Sequence, residues 1–240
     1  MRPCVFLVVT LGACLAAPLQ LHAVGGTYID NFLITNNGAY VLADNFDDGD
    51  IRDWNPAGGV SLAQITKKPA GYCMCFNSGG VPNAVCRRKV QAAPLGVLQV
   101  SAWFLMPPVE EQYGWDKDTG STYVGSTVFY VAPDNNKDSV LFGVVLRPGD
   151  AGYRLDLKVH FNAQDGSRPG QLFRTQKPVL APGKWALLTL KMDPSTRKVT
   201  LCLDGKEQLS SDYEPENWKS LTFLMVGTQL GDQPLKKIIK

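Results

Sequence analysis

Hydrophobic and polar positions alternate with a period of two along most of the chain, and helical periodicity is almost absent. The clearest stretch is 183–205, GKWALLTLKMDPSTRKVTLCLDG. Trp185, Leu187 and Thr189 alternate there with Ala186, Leu188 and Leu190, and Val199, Leu201 and Leu203 alternate with Lys198, Thr200 and Cys202. That period predicts two antiparallel strands. Between them Asp193-Pro194-Ser195-Thr196 supplies a turn, because proline presets φ and the Asp and Ser side chains bond nearby backbone. Asp204-Gly205 opens the next reversal. A second hairpin is predicted from strands at 27–35 and 40–46 around Asn36-Asn37-Gly38, since Asn-Gly tolerates positive φ. Further strands are predicted at 95–106, 121–132, 138–147, 151–162, 170–177 and 220–228. Turn residues at this density predict an all-β, two-sheet antiparallel sandwich.

Ahead of this pattern, Arg2 precedes an apolar run from Val5 to Ala17, and Leu21-His22-Ala23 offers a small-residue cleavage site. The run is too short to cross a bilayer, so residues 1–23 are read as a signal peptide and 24–240 as one domain. Leu11-Gly12-Ala13-Cys14 resembles a bacterial lipobox, in which Cys14 would carry a lipid anchor. The expected location is secreted, periplasmic or cell-envelope. No later apolar run reaches transmembrane length. The formal charge is only +2, with both signs interspersed, so nothing in it favours a nucleic-acid partner. Oligomeric state is not legible.

Cys4 and Cys14 lie in the leader, which leaves Cys73, Cys75, Cys86 and Cys202 in an exported chain. On a strand Cys73 and Cys75 share one face, and a bond from either to Cys86 would close a short loop. A disulfide within Cys73, Cys75 and Cys86 is therefore expected. The segment from Asp44 to Trp54, DNFDDGDIRDW, is acidic, and Asp44, Asp47, Asp48 and Asp50 are a candidate set of calcium ligands, because a hard cation needs several oxygens at short range. A solvated, turn-rich loop is the competing reading.

In 153–161, Tyr153, Leu155, Leu157, Val159 and Phe161 share one face while Arg154, Asp156, Lys158 and His160 share the other. Arg147, Arg174 and Gln176 would extend that polar face if the neighbouring strands are in register. The long polar insertion 107–120 holds Tyr113 and Trp115, and Tyr123 follows it. Tyr113, Trp115 and Tyr123 are candidate stacking platforms for sugar rings, with Arg154, Asp156, Lys158 and His160 as partners for hydroxyls. No catalytic residue is assigned. The glutamates Glu110, Glu111, Glu207, Glu214 and Glu216 all fall in predicted loops or strand ends, and His160 has no positioned serine beside it.

The pattern W-x-x-L-x-L, a turn, then V-x-L-x-L-D-G at 185–205 resembles the concanavalin A-like (laminin G-like) jelly-roll family. The resemblance implies a jelly-roll β-sandwich and a glycan or extracellular polysaccharide as partner. Glucanases of that fold carry E-x-D-x-x-E on one strand, because retaining hydrolysis needs two nearby carboxylates, and this chain lacks the pattern. The implied function is a non-catalytic carbohydrate-binding or adhesion module. The F-x-D-G-x-x-x-x-W segment from Phe46 to Trp54 is similar to the secreted 3-keto-disaccharide hydrolases, which makes a glycan-active hydrolase the alternative. A structural extracellular domain that binds another protein is the third reading.

Overall fold

The two-residue alternation becomes two antiparallel sheets in the computed structural model, which describes residues 26–65, 71–77, 84–109, 115–116, 121–122, 127–132, 141–149, 151–160, 171–214 and 219–228. The strands are β1 (Gly26–Asn36), β2 (Ala39–Asp44), β3 (Val60–Ile65), β4 (Gly71–Asn77), β5 (Ala84–Ala92), β6 (Leu98–Leu105), β7 (Trp115–Asp116) and β8 (Ser121–Thr122). They continue as β9 (Thr127–Ala132), β10 (Leu141–Gly149), β11 (Gly152–His160), β12 (Gln171–Arg174), β13 (Trp185–Asp193), β14 (Lys198–Leu203), β15 (Lys206–Asp212) and β16 (Leu221–Thr228). One sheet runs β15-β14-β13-β6-β1-β4-β3, with β2 pairing the second half of β1, and the other runs β12-β11-β10-β9-β16-β5. Among the described residues β7 and β8 form a separate two-stranded sheet. The architecture is a jelly-roll β-sandwich.

The core lies between the sheets. From the first it receives Ile29, Phe32, Ile34, Met74, Phe76, Val100, Phe104, Leu188, Leu190 and Leu201, and from the second Cys86, Phe129, Val144, Leu155, Leu157, Leu224 and Val226. Apart from the step between Ile29 and Phe32 in β1, these are every-other residues along their strands, so each strand has one face in the core and one face out. Tyr153 is fully buried and spends its hydroxyl on the Pro107 carbonyl at 2.7 Å, which removes the cost of enclosing a phenol.

Both predicted hairpins form. In β13 and β14, Leu188 faces Leu203 and Leu190 faces Leu201, and Oδ1 of Asp193 accepts the Ser195 N–H at 3.0 Å in the turn. In the β1–β2 turn Asn37 and Gly38 both take positive φ, 51° and 78°. This turn is clasped by the loop before β6: Asn37 N–H donates to the Val97 carbonyl, Asn37 Oδ1 accepts Val97 N–H, and Asn36 Oδ1 accepts Gly96 N–H, each at 2.8 Å.

The sequence alone predicts no strand at β3, β5, β7 or β15, and one at β4 only if the Cys73–Cys75 segment is extended; each is placed by pairing with a neighbour. Glu207 sits at the start of β15, opposite Cys202, a strand end as expected. β1 occupies an interior place between β6 and β4, and it changes partner along its length: Gly26–Ile29 pair with β4, and Phe32–Asn36 pair with β2. A β-bulge between Asp30 and Leu33 marks the change. Residues 1–25 and 229–240, including the predicted leader, lie outside the described residues.

Candidate functional site

The outward face of the first sheet is built by the same alternation that builds the core. In β6, Leu98, Val100, Ala102 and Phe104 point inward, so Gln99, Ser101, Trp103 and Leu105 point outward. In β13, Leu187 and Thr189 point outward between Ala186, Leu188 and Leu190. Across β1 and β2 this face gains Asn31, Leu33, Tyr40, Ala43 and Asp44, with Asn45 just beyond. Together they line an open groove of about 700 Å³ spanning β2, β1, β6 and β13. Trp103 is half-buried in it, while Tyr40 stands 79% exposed at its rim. The remaining lining mixes apolar Phe32, Leu33, Ala43 and Leu187 with amides, hydroxyls and one acidic residue, and no Lys, Arg or His lines it among the described residues. Lys191, the next outward residue of β13, lies one rung beyond Thr189, opposite Gln99.

One end of the groove meets the β1 bulge. Asp30 stands opposite Trp103 in the β1–β6 register and is only 2% exposed. Its Oδ1 accepts the N–H of Asn31 at 2.7 Å, and Asn31 holds a left-handed φ of 50°. Burial pushes the Asp30 carboxyl up to about 6; Asp47 and Asp44 add to the rise, and the Asn31 hydrogen bonds oppose it. Beyond Asp30 lies a small apolar cluster of Tyr28, Ala63, Cys73 and Cys75, against which Leu105 and Trp185 pack.

The expected disulfide does not form. Cys73, Cys75, Cys86 and Cys202 are free thiols. Cys73 and Cys75 lie in the outer cluster, whereas Cys86 points into the core from the other sheet, so the first sheet's backbone separates them. Burial pushes the thiols of Cys73 and Cys86 each up to about 12, which keeps them protonated and unreactive at neutral pH.

The expected calcium ligands are not gathered into a cation site either: no cluster of three or more potential ligands occurs among the described residues. Each carboxylate is already engaged. Asp44 accepts from Trp54 Nε1 at 2.8 Å and Arg88 at 2.6 Å. Asp47 accepts from Asn45 Nδ2 at 2.7 Å and from Tyr72 N–H at 3.3 Å. Asp48 closes a turn by accepting Asp50 N–H at 3.0 Å, and Asp50 pairs with Arg52. The acidic loop is a set of side chain-to-backbone turns that delivers Trp54 to the core.

The predicted polar strand face lies on the opposite side of the sandwich from the groove, on the outward side of the second sheet. The register pairs Arg147 with Arg154 and Arg174 with Asp156 at the Cα level. Asp156 is fully buried and held by Arg174, Nε to Oδ1 at 2.7 Å and Nη2 to Oδ2 at 3.0 Å. Arg154 and Lys158 flank it, half-buried, and Gln176 is exposed in the bend after β12. His160 ends β11 and Trp115 opens β7; their side chains, like Tyr113 and Tyr123 altogether, lie outside the described residues.

Sequence reasoning passed over Trp103, Tyr40, Asn31 and Gln99. A signal was present: in 98–105 the alternation sets a tryptophan in line with Gln99 and Ser101, on the face opposite the core residues.

No family model and no curated protein matches the sequence. Among solved structures, the chain is similar to a carbohydrate recognition domain of Emp46p at 14% identity, over 76% of this chain and 84% of that one, with a TM-score of 0.48. It is similar to sheep galectin-11 at 11% identity, over 59% and 87%, with a TM-score of 0.37. It is also similar to the Crh5 transglycosylase at 12% identity, over 87% and 73%, with a TM-score of 0.41. The strand order and register are themselves those of a jelly-roll sandwich.

Proposed function

We propose that the chain binds an uncharged glycan in the groove of the first sheet and does not cleave it. The observation that carries this reading is the lining: one half-buried indole, Trp103, and one exposed phenol, Tyr40, set beside Leu33 and Leu187 and among Asn31, Asn45, Gln99, Ser101 and Thr189. An aromatic ring offers a flat apolar surface to a pyranose face, and short amides and hydroxyls exchange hydrogen bonds with its rim. The described lining holds no Lys, Arg or His to pair with a uronate or sulfated chain. Asp44 is the one carboxylate in that lining and is committed to Arg88 and Trp54, so the paired acid and nucleophile of a retaining hydrolase have no counterpart among the described lining residues. We place the domain at 24–240 behind an export leader at 1–23, so the glycan would be met outside the cytoplasm.

The test is a glycan array of neutral and anionic chains, followed by affinity measurement on the best neutral ligand and analysis of that ligand after long incubation. Trp103→Ala is expected to weaken binding by about 1–3 kcal/mol, the range for a desolvated aromatic anchor. A preference for anionic chains, or Trp103→Ala binding as the parent does, would overturn the reading. Shortened sugar in the incubation would move it to the hydrolase class.

A further inference from the structure

The β1 bulge places a carboxylate where it can control the groove. β1 leaves β4 and joins β2 at this point, and the residue that makes the change is Asn31, in a left-handed conformation that non-glycine residues rarely hold. Such a backbone persists only where its surroundings fix it. Here the fixing contact is the 2.7 Å hydrogen bond from Asn31 N–H to Asp30 Oδ1. A hydrogen bond to an ionised carboxylate is about twice as strong as one to a neutral acceptor. Asn31 in turn lines the groove, and Asp30 stands directly across from Trp103. The groups that act on Asp30 from the surrounding elements are Asp44 at the end of β2 and Asp47 in the loop after it. Asp30 in turn acts on the Cys73 thiol of β4. β6 presents the uncharged Trp103.

We propose that Asp30 is a positioning residue whose ionisation holds Asn31 in its groove-lining conformation, so that the groove's affinity for glycan falls on acidification as Asp30 takes up a proton. The inference rests on the glycan reading of the groove. Its direction follows from the contact: the charged form is the stronger acceptor, so the binding-competent bulge is the deprotonated one. Asp30 is buried, is opposed by two neighbouring carboxylates and meets no cation among the described residues, so protonation is accessible in mildly acidic solution.

Two measurements on the intact chain separate this inference from the glycan reading. The first needs no ligand: the Asn31 amide resonance and Trp103 fluorescence are followed from pH 4.5 to 8 in the parent and in Asp30→Asn. Both should titrate together in the parent near pH 6 and be flat in the variant. The second measures affinity for the neutral oligosaccharide chosen on the array over the same range. Binding at pH 5 should be about tenfold weaker than at pH 7.5, the loss expected when only about a tenth of the protein is in the competent form. In Asp30→Asn the affinity should not vary with pH. An Asn31 amide that ignores the Asp30 titration overturns the positioning role whether or not a glycan binds. A parent affinity that is unchanged from pH 5 to 7.5 overturns it as well. Failure of every glycan to bind at pH 7.5, with the amide titrating as expected, overturns the glycan reading and with it the claim about affinity.

Discussion

The indole Nε1–H of Trp54 donates to Oδ2 of Asp44 at 2.8 Å, and Nη1 of Arg88 reaches the same oxygen at 2.6 Å. The Arg88 guanidinium also lies over the Trp54 ring, 5.2 Å from its centroid. Trp54 packs edge-on against Phe32 at 5.1 Å between centroids and lies 5.7 Å from Phe46. One carboxylate at the end of β2 thus ties a core tryptophan to β5 of the facing sheet. The acidic loop that follows is shaped by this closure.

Asp44→Ala should therefore cost about 3–4 kcal/mol, because it leaves Arg88 as a largely buried cation and the indole N–H without its acceptor. Asp44→Asn keeps an acceptor for the indole and should cost less. Chemical denaturation of both variants reads the difference. Losses under about 1 kcal/mol in both would place the pair among ordinary surface ion pairs. The same commitment of the loop carboxylates predicts that millimolar calcium leaves the melting temperature unchanged, since only a ligand that binds the native state raises it.

The cysteines make a second prediction. Cys202 is half-buried on β14, whereas Cys73, Cys75 and Cys86 are buried, with thiols raised by burial. A maleimide applied to the native chain without reductant should label Cys202 well ahead of the other three, and unfolding should release all of them. Peptide mapping checks this. Cys86 found bonded to Cys73 or Cys75 would require the first sheet to open.

Where one physical effect dominated, the sequence was a good guide. Strict alternation through Trp185–Asp193 and Leu98–Leu105 follows from burial of one face, and Asn37-Gly38 follows from a turn that needs positive φ. Where position depended on distant partners, it was not. The spacing of Cys73 and Cys86 says nothing about which side of a sheet each faces, and the spacing of four nearby aspartates leaves a ligand set and a turn-rich loop both open, whereas in the fold Arg88 and Tyr72 arrive from β5 and β4 to engage two of them. The groove illustrates both cases. Trp103 could have been placed on the outward face from its own strand, but the joining of Asn31, Tyr40 and Thr189 around it depends on β1, β2, β6 and β13 lying side by side.

The clasp on the β1–β2 turn separates two kinds of glycine. A Cβ on Gly96 would lie 2.0 Å from Asn37 Oδ1, whereas one on Gly38 would meet nothing within 4 Å. Gly38→Ala should cost about 1 kcal/mol, the strain of a positive φ alone. Gly96→Ala should cost about 2–3 kcal/mol, since it displaces the side chain that joins turn to loop. Equal losses in thermal denaturation would show that the clasp adds nothing to the turn.

Asp30 gives the last prediction, and its sign is opposite to that of most carboxylates. Its folded value of about 6 lies above the ordinary 3.8, chiefly through burial, so the native chain holds this proton more tightly than the unfolded chain does. Between these two values the native state binds more protons, and stability falls as pH rises. The stabilisation is fully present below about pH 4 and is lost as pH rises through 6, a change of up to about 3 kcal/mol. Asp30→Asn removes the dependence while keeping an oxygen to accept the Asn31 N–H. The variant should match the parent near pH 4 and exceed it by about 1–3 kcal/mol at pH 7.5, read by denaturant unfolding at both. A variant less stable than the parent at pH 7.5 would mean that the ionised carboxylate contributes more through Asn31 than its burial costs. A gain in stability joined to loss of pH-dependent binding would identify Asp30 as a charge retained at the expense of the fold, as residues at working sites often are.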